Sequence, residues 1–406
     1  MLATLSPDLR QYLLVTANYW AFTLTDGALR MLVVLYFHQL GYSGLAIAML
    51  FLFYELFGVV TNLLGGWLGA RIGLNNTMNL GLLLQLLALG MLLVPAQFLL
   101  VPWVMAAQAL SGVAKDLNKM SAKSSIKLLV EDDAQSTLFK WVAILTGSKN
   151  ALKGVGFFVG GALLSLFGFW YAVLCLWSLL LVMWLLSLWR LKADLGKSKA
   201  KPKFKQLLSK SQPINVLSAA RLLLFGARDV WFVIALPLTL AAQFGWSQWA
   251  IGSFLAVWVI GYGAVQSLAP LLTGVRSTQP EKQLPDGRSL TFWALALCAL
   301  PAVIALALTQ QWHSETVLIS VLLFFGAIFA INSSLHSYMI IRYANADGVS
   351  LDVGFYYMAN ALGRLIGTVL SGWVYQVAGL SACLWISSLM LLATALVSIW
   401  LPKQAA

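Results

Sequence analysis

Charge is scarce in this sequence, and negative charge is scarcest. Only 10% of its 406 residues are charged, with 14 acidic residues against 26 basic ones. A soluble domain carries about a quarter charged residues, whereas 60% of this chain is hydrophobic and its mean hydropathy is +0.84. The composition excludes an ordinary soluble protein and predicts a polytopic membrane protein.

Cysteine is equally rare. Cys175, Cys298 and Cys383 fall in three different apolar segments, so we expect neither a disulfide framework nor a thiolate metal site. The first apolar run is too long for a signal peptide and lacks a small-residue cleavage site, so no removable signal is expected. Nothing indicates a nucleotide loop, a metal cluster or a sizeable soluble domain. We therefore expect no cofactor and no enzymatic activity.

Long apolar runs dominate the chain instead. About 20 such residues suffice to cross a hydrocarbon core about 30 Å thick. We number the predicted spans 1 to 12, at residues 11–38, 45–69, 77–95, 98–120, 138–165, 168–189, 214–241, 247–270, 290–309, 316–341, 351–377 and 380–401. The sequence thus predicts an all-α fold of twelve transmembrane helices in two pseudo-symmetric six-helix bundles, residues 1–190 and 214–406, joined by a basic linker at 191–213.

The basic residues between spans predict the orientation. The joins after odd-numbered spans contain no Lys or Arg, whereas those after even-numbered spans are basic, and the linker is the most basic of all. By the positive-inside rule the linker and both termini are cytoplasmic, as in a multi-pass protein of a bacterial inner membrane. The basic excess therefore does not indicate nucleic-acid binding. The linker serves as a topology anchor or also contacts anionic membrane lipid.

The two halves resemble each other. Asp26 and Asp229 precede similar turns, and three residues of span 5 recur in span 11 at a constant offset of 211, namely Lys153, Gly156 and Gly161 against Arg364, Gly367 and Gly372. This arrangement resembles the major facilitator transporters, in which substrate binds between the halves near the midplane. Residues 65–73 resemble the cytoplasmic loop motif of that superfamily, with Ala70 where an Asp is usual.

Five basic residues lie near the middle of predicted spans: Arg30, Lys149, Lys153, Arg228 and Arg364. A cation at that depth costs at least about 2.5 kcal/mol on insertion scales, so it normally faces a partner or a wet cavity. We predict that these five residues bind an oxyanion. Lys153 and Arg364 occupy matching positions, which favours a two-ended site on the pseudo-two-fold axis.

Two aspartates accompany the arginines. Asp26 and Arg30 are four residues apart and share a helix face, so they form either a self-neutralised ion pair or an Arg that Asp26 orients toward a ligand. Arg228 and Asp229 are adjacent and point to different faces, so we expect Arg228 not to pair with Asp229. Asp229 would orient the arginines of the second half.

Lys149 and Lys153 also share a face and repel each other. Either a carboxylate from another span neutralises one of them, or one becomes the neutral amine, or an anionic ligand neutralises both. Glu55, alone in an apolar stretch, is either that carboxylate or the carrier of a coupling proton. The deep acids that are candidates for proton coupling are Asp26, Glu55, Asp116 and Asp229.

Span 4 ends in a stripe of lysines four residues apart, Lys115, Lys119, Lys123 and Lys127, which extends about 18 Å along the helix. We interpret it as a cytoplasmic electrostatic ramp that concentrates anions. Positive-inside anchoring is the favoured alternative for Lys123 and Lys127, and Asp116 is expected to offset Lys115. Weaker candidates for the polar lining of the site are Tyr19, Asn150, Asn332, His336, Tyr356 and Asn360.

Several polar strings inside the spans resemble one branch of the superfamily, the organoarsenical efflux permeases of the ArsJ type. They are residues 19–32, 114–117, 119–124, 146–154 and 354–360. The resemblance implies export of 1-arseno-3-phosphoglycerate, which leads to arsenate resistance because the product decomposes outside the cell. The cysteine pattern agrees, since a carrier of trivalent arsenite would need converging thiolates.

The sequence therefore predicts a transporter that exports a small organic anion and works as a monomer, as an antiporter or a uniporter. A cell interior at negative potential expels a multiply charged anion without a coupling ion, by roughly 2.3 kcal/mol per charge for 100 mV. The alternative is a proton-coupled uptake carrier for a sugar phosphate or an organic carboxylate.

Overall fold

The computed structural model describes residues 6–42, 47, 50–131, 134–191, 195–199, 210–275 and 284–402. The side chains of Leu52, Glu55, Gln248 and Trp249 are outside this description, as are the basic residues Lys192, Lys201, Lys203, Lys205, Arg276 and Lys282. Within the described ranges the regular structure is helical.

The helices are, in chain order, α1 Pro7–Gln39, α2 Leu52–Ile72, α3 Leu74–Met91, α4 Val101–Leu129, α5 Gln135–Arg190, α6 Gln212–Phe232, α7 Ala235–Ala242, α8 Gln248–Ser267, α9 Ala269–Leu272, α10 Gly287–Gln310, α11 Ser314–Tyr343 and α12 Val349–Ser398. Seven helical stretches of the described chain are long and apolar enough to cross a membrane. Two of these, α5 and α12, have 56 and 50 residues and each contain two predicted spans. The predicted all-α membrane fold is confirmed.

Two glycines bend the longest helices. Gly168 in α5 has φ 73° and ψ 177°, and Gly379 in α12 has φ 75° and ψ −175°. This region of backbone space is essentially restricted to glycine. The two bends are 211 residues apart, the same offset that separates Lys153 from Arg364, so the internal repeat extends to the positions where the long helices turn.

Close helix crossings also repeat at that offset. A Cβ added to Gly156 would lie 2.8 Å from the Leu24 carbonyl oxygen, and one added to Gly367 would lie 2.6 Å from that of Gly226. Only glycine permits backbones to approach this closely. The crossing of α1 with α5 and that of α6 with α12 therefore each require a glycine, because a Cβ would not fit.

Three tryptophans on α5 donate a row of hydrogen bonds to a neighbouring stretch of the chain. Trp170, Trp177 and Trp184 are spaced by seven residues along α5. Their indole N–H groups donate to the carbonyl oxygens of Val94, Leu86 and Asn79 at 2.8, 3.1 and 3.1 Å. Asn79 and Leu86 lie in α3 and Val94 follows its end, so these bonds fix the packing of this part of the chain against α5.

The chain divides into two compact units. Unit 1 comprises Met1–Asp132, Ser148–Ser209 and Ala344–Met358, and unit 2 comprises Asp133–Gly147, Lys210–Tyr343 and Ala359–Ala406. The first residues of α5 thus belong to unit 2 and those of α12 to unit 1. Each unit has its own apolar core, around Phe22 and Leu32 in unit 1 and around Trp231 and Phe325 in unit 2.

Residues 195–199 of the linker are docked within unit 1. The Leu195 carbonyl accepts from Leu74 N at 2.7 Å, and Ser198 N donates to the Ala70 carbonyl at 2.8 Å. The Ser198 hydroxyl and Lys199 N both donate to Asp347 Oδ1, at 2.9 and 3.1 Å. At Ala70, where the loop motif usually has an Asp, the backbone thus binds the linker.

Candidate functional site

Tyr54 on α2 contacts three charged side chains of unit 1. Its hydroxyl donates to both carboxylate oxygens of Asp26, at 2.7 and 2.9 Å. Lys115 Nζ lies 3.8 Å from the centroid of its ring, and Arg30 Cζ lies 4.8 Å from it. The face of an aromatic ring attracts cations, so Tyr54 holds one acid through its hydroxyl and two bases through its ring.

Tyr357 on α12 has a similar role for the next lysines of the stripe. Lys123 Nζ donates to its hydroxyl at 2.6 Å. The Nζ atoms of Lys119 and Lys123 each lie 4.9 Å from the centroid of its ring. Lys123 is only 4% exposed, so its ammonium group lies inside the unit. Anchoring at the membrane surface does not account for this position.

Asp116 pairs with a different lysine from the one expected. Its Oδ1 lies 2.6 Å from Lys119 Nζ, three residues along α4. The prediction that Asp116 offsets Lys115 is therefore wrong. The i, i+3 spacing brings Lys119 onto the same face as Asp116, whereas Lys115, adjacent to Asp116, turns toward Tyr54.

Lys149 on α5 lies among other cations. Its charge interacts with those of Lys115, Lys119 and Lys123, and with the opposite charge of Asp26. Its one hydrogen bond in the described structure is a long one, 3.4 Å to Asn150 Oδ1. Among the side chains that the structure describes, neither Lys149 nor Lys115 has a carboxylate within ion-pair distance.

Tyr19 on α1 belongs to the same cluster. It is 2% exposed, and no described group forms a hydrogen bond with its hydroxyl. Its electrostatic neighbours are Tyr357, Asp116 and Asp26. Tyr19 thus contributes a buried hydroxyl without a described hydrogen-bond partner to α1.

Lys153 lies at the crossing of α1 and α5. A Cβ added to Gly27 would lie 2.8 Å from the Lys153 carbonyl oxygen, and the Lys153 side chain is half-buried. Lys127, at the end of the stripe, is also half-buried. Glu55 is in α2, but its side chain lies outside the described structure.

Asp229 organises the basic residues of unit 2. Arg228 donates to its Oδ1 from Nε at 2.6 Å, and Arg364 donates to its Oδ2 from Nε at 3.0 Å. Asp229 is fully buried, whereas the side chains of Arg228 and Arg364 are 16% and 39% exposed. The expectation that Arg228 does not pair with its neighbour is wrong, because the long arginine side chain curls back across the helix surface.

Arg221 is a buried cation that the sequence interpretation missed. Its Nε donates to Asn360 Oδ1 at 2.9 Å, and its Nη1 donates to the hydroxyl and carbonyl of Ser333 at 3.1 and 3.2 Å. Its guanidinium lies 3.9 Å from the centroid of the Phe225 ring, which Arg228 also approaches at 4.8 Å. The seven-residue spacing of Arg221 and Arg228, two helical turns, was the available signal.

Five of the six weaker polar candidates are buried, and Asn150 is half-buried. His336 and Asn332 on α11 are fully buried, and neither ring nitrogen nor either amide atom has a hydrogen-bond partner among the described groups. His336 interacts electrostatically with Arg221. Asn360 is engaged by Arg221, and Tyr356 packs edge-on against Tyr357 with ring centroids 5.0 Å apart.

Tyr54 and Tyr357 were also not identified as site residues. Each lies in a polar string within an apolar span, next to Glu55 and Tyr356 respectively, but their role depends on contacts between helices. No group of three or more His, Cys, Asp or Glu side chains in the described chain is placed to hold a metal ion. The arrangement is suited to binding an oxyanion, through ammonium, guanidinium and hydroxyl donors.

Comparison with known proteins gives the family and the fold. The profile described as Major Facilitator Superfamily matches residues 13–280. A search of curated proteins finds no match.

Among solved structures, the human organic anion transporter MFSD10 superposes with a TM-score of 0.76 at 15% identity, over 97% of this chain and 100% of that one. The E. coli fucose:proton symporter FucP (N162A) gives 0.74 at 12%, over 97% and 99%. A bacterial homologue of the iron transporter ferroportin gives 0.74 at 16%, over 96% and 99%. At these identities the similarity shows a shared fold.

Proposed function

This chain belongs to the major facilitator superfamily, and we propose that it exports a small organic oxyanion, 1-arseno-3-phosphoglycerate, by alternating access. Membership makes it a multi-pass membrane transporter of a small molecule rather than an enzyme. The proposal adds the direction, the substrate, a bacterial inner membrane with cytoplasmic termini, and function as a monomer in contact with membrane lipids.

The observation that carries the proposal is the cluster in unit 1. Cations from α1, α4 and α5 surround Asp26 and Asp116, which are the carboxylates that the structure describes there. The basic side chains of this cluster are Arg30, Lys115, Lys119, Lys123 and Lys149. Holding so many like charges at depth is costly. A multiply charged anion would offset that cost, and this supports an anionic substrate.

Unit 2 supports the same chemistry with different groups. One carboxylate, Asp229, accepts from both Arg228 and Arg364. Guanidinium groups bind phosphate-like oxygens through paired N–H donors, whereas ammonium groups act as point charges. The proposed oxyanion ligands remain Arg30, Lys149, Lys153, Arg228 and Arg364, with Asp26 and Asp229 as orienting residues.

The choice of substrate depends on the resemblance of the intramembrane polar strings to the organoarsenical efflux permeases. That substrate carries oxyanion groups at both ends of a three-carbon frame, which accounts for basic clusters in more than one place. The human organic anion transporter shares the fold only, so this similarity is compatible with an anionic substrate but assigns none.

A proton-coupled uptake carrier for a sugar phosphate or an organic carboxylate is the second candidate. The observation that favours it is Asp26, a carboxylate only 6% exposed whose described hydrogen-bond donor is the hydroxyl of Tyr54. Such a group is suited to carrying a proton through the transport cycle.

Arsenate resistance in a sensitive bacterial strain that makes the substrate tests the proposal. We expect Arg364→Ala or Lys153→Ala to abolish resistance at normal membrane levels, while Lys140→Ala, which removes an exposed lysine of α5, leaves it intact. Resistance that persists in both deep variants would contradict the oxyanion site.

A further inference from the structure

We propose that Asn332 and His336 of unit 2 bind a hydroxyl group on the carbon frame of the transported anion, and we call these two residues the hydroxyl site. The inference rests on the proposed function and deepens it, because it narrows the substrate class to hydroxylated organic anions. The sequence pattern indicated only that both residues are weaker candidates for a polar lining.

The two side chains share one face of α11. Successive residues of a helix are rotated by about 100° around its axis, so Phe329, Asn332, Ser333 and His336 all lie within an arc of about 100°. Phe329 packs against Phe225 of α6, with ring centroids 5.2 Å apart. This face of α11 is therefore turned toward α6 inside unit 2.

Hydrogen bonds join the same face to a buried cation. Arg221 Nη1 donates to the hydroxyl and carbonyl of Ser333 at 3.1 and 3.2 Å. Gln266 of α8 donates to the same hydroxyl at 3.2 Å. Ser333 directly follows Asn332 and precedes His336 by one helical turn, so the hydroxyl site is fixed beside a guanidinium group. An anion that reached this face would lie next to a positive charge.

Four polar side-chain atoms of the hydroxyl site have no hydrogen-bond partner among the described groups. They are the amide nitrogen and oxygen of Asn332 and both ring nitrogens of His336, and both residues are fully buried. A buried polar atom without a partner costs free energy, and such atoms are uncommon in native proteins. A ligand that hydrogen-bonds to these atoms would remove that cost when the transport cycle opens the face to it.

The chemistry of the four atoms indicates what that ligand carries. An amide offers a donor and an acceptor, and the neutral form of an imidazole does the same through its two nitrogens. A fully ionised phosphate or carboxylate only accepts hydrogen bonds, so it would leave the acceptors of Asn332 and His336 without a donor. A hydroxyl group both donates and accepts. Together with the charge of Arg221, the site matches an anion that has a hydroxyl on its carbon frame.

Binding of two matched probes to the full-length protein in nanodiscs tests this inference. 3-Phosphoglycerate and 3-(phosphonooxy)propanoate have the same anionic ends, and only the first has a hydroxyl on the carbon next to its carboxylate. We expect calorimetric titration of the wild type to show at least tenfold tighter binding of 3-phosphoglycerate, because a site that hydrogen-bonds a hydroxyl rejects the analogue without one. Ser320→Ala, at an exposed position of α11, should keep this preference.

Variants of the hydroxyl site should lose the preference without losing the anion. Asn332→Leu and His336→Phe replace polar side chains by apolar ones of similar size. We expect each to reduce the preference to less than threefold, while the affinity for 3-(phosphonooxy)propanoate changes by less than threefold. His336→Gln retains a donor and an acceptor, so it should keep a preference of at least fivefold.

The melting temperature without ligand separates a binding role from a structural one. Because the replaced atoms have no described partners, Asn332→Leu and His336→Phe should melt no lower than the wild type. A lower melting temperature in both variants would mean that these side chains make stabilising bonds within the protein, and it would overturn the hydroxyl site.

The outcomes also distinguish this inference from the function on which it rests. Equal affinity of the wild type for the two probes, a comparison that needs no variant to fold, would overturn the hydroxyl site and leave export of an oxyanion standing. A tenfold preference that persists in both Asn332→Leu and His336→Phe would do the same. Failure of both probes to bind the wild type would overturn the hydroxyl site together with the phosphorylated substrate class.

Discussion

The two units hold corresponding aspartates in opposite ways. In unit 1, Asp26 accepts from the hydroxyl of Tyr54, and Lys115 and Arg30 contact the ring of that tyrosine. In unit 2, Asp229 accepts directly from Arg228 and Arg364. The backbone repeat is thus kept while the electrostatics diverge. In unit 1 most of the clustered positive charge is on compact ammonium groups, with Arg30 beside them, whereas in unit 2 it is on two guanidinium groups that one carboxylate orients.

The largest effect is expected from removing the charge of these aspartates. Asp229→Asn leaves two arginines without their shared carboxylate, and loss of one partner of a buried pair costs about 3 kcal/mol. Asp26→Asn keeps an acceptor for the Tyr54 hydroxyl, so the cost should be about 1 kcal/mol. Denaturation of both variants in detergent measures the difference. Equal losses would show that the two aspartates are held alike.

A smaller loss of stability is expected at the two close helix crossings, and it should show whether the crossings are equivalent. Gly156→Ala and Gly367→Ala each push a Cβ against a backbone carbonyl, which should cost about 1–3 kcal/mol. At Gly161 and Gly372 the nearest atoms to an added Cβ are side-chain methyls at 3.8 and 3.6 Å. Alanine at these two control positions should leave the melting temperature unchanged. A tolerated Gly156→Ala or Gly367→Ala would contradict the close crossing in its unit.

The smallest effect concerns tryptophan hydrogen bonds. Trp177→Phe in unit 1 and Trp258→Phe in unit 2 each remove an indole donor to a carbonyl, at 3.1 Å from Leu86 and Leu322 respectively. Each should cost about 1 kcal/mol. Trp400→Phe, at a position exposed in the described structure, is the control. Unfolding free energies equal to that of the control would mean that the indole bonds are not stabilising.

Structural features that depend on local sequence, or that recur in both halves of the internal repeat, could be predicted from the sequence. Apolar length predicts the helices because a membrane span must be long and apolar. The offset of 211 residues correctly related the glycines at 156 and 367, since both units bury the same crossing. The bends at Gly168 and Gly379 follow the same offset.

Contacts between helices could not be predicted in this way. Tyr54 contacts Asp26 from another helix, and Arg221 contacts Asn360 across 139 positions of the chain. Helical periodicity failed for Arg228 and Asp229 because it describes where a side chain leaves the backbone, whereas a long arginine reaches around the helix. The site residues that sequence reasoning missed are defined by such contacts.

Transport into everted membrane vesicles tests the central claim most directly. The substrate is generated outside the vesicles from glyceraldehyde 3-phosphate, arsenate and NAD+ by the glycolytic dehydrogenase, with NAD+ taking up the hydride. Arsenic accumulated inside is measured with and without an interior-positive potential. We predict accumulation that the potential increases, because an anion moves toward positive charge, and none in Lys153→Ala or Arg364→Ala vesicles. No accumulation in wild-type vesicles, or movement in the opposite direction driven by a proton gradient, would contradict an oxyanion exporter.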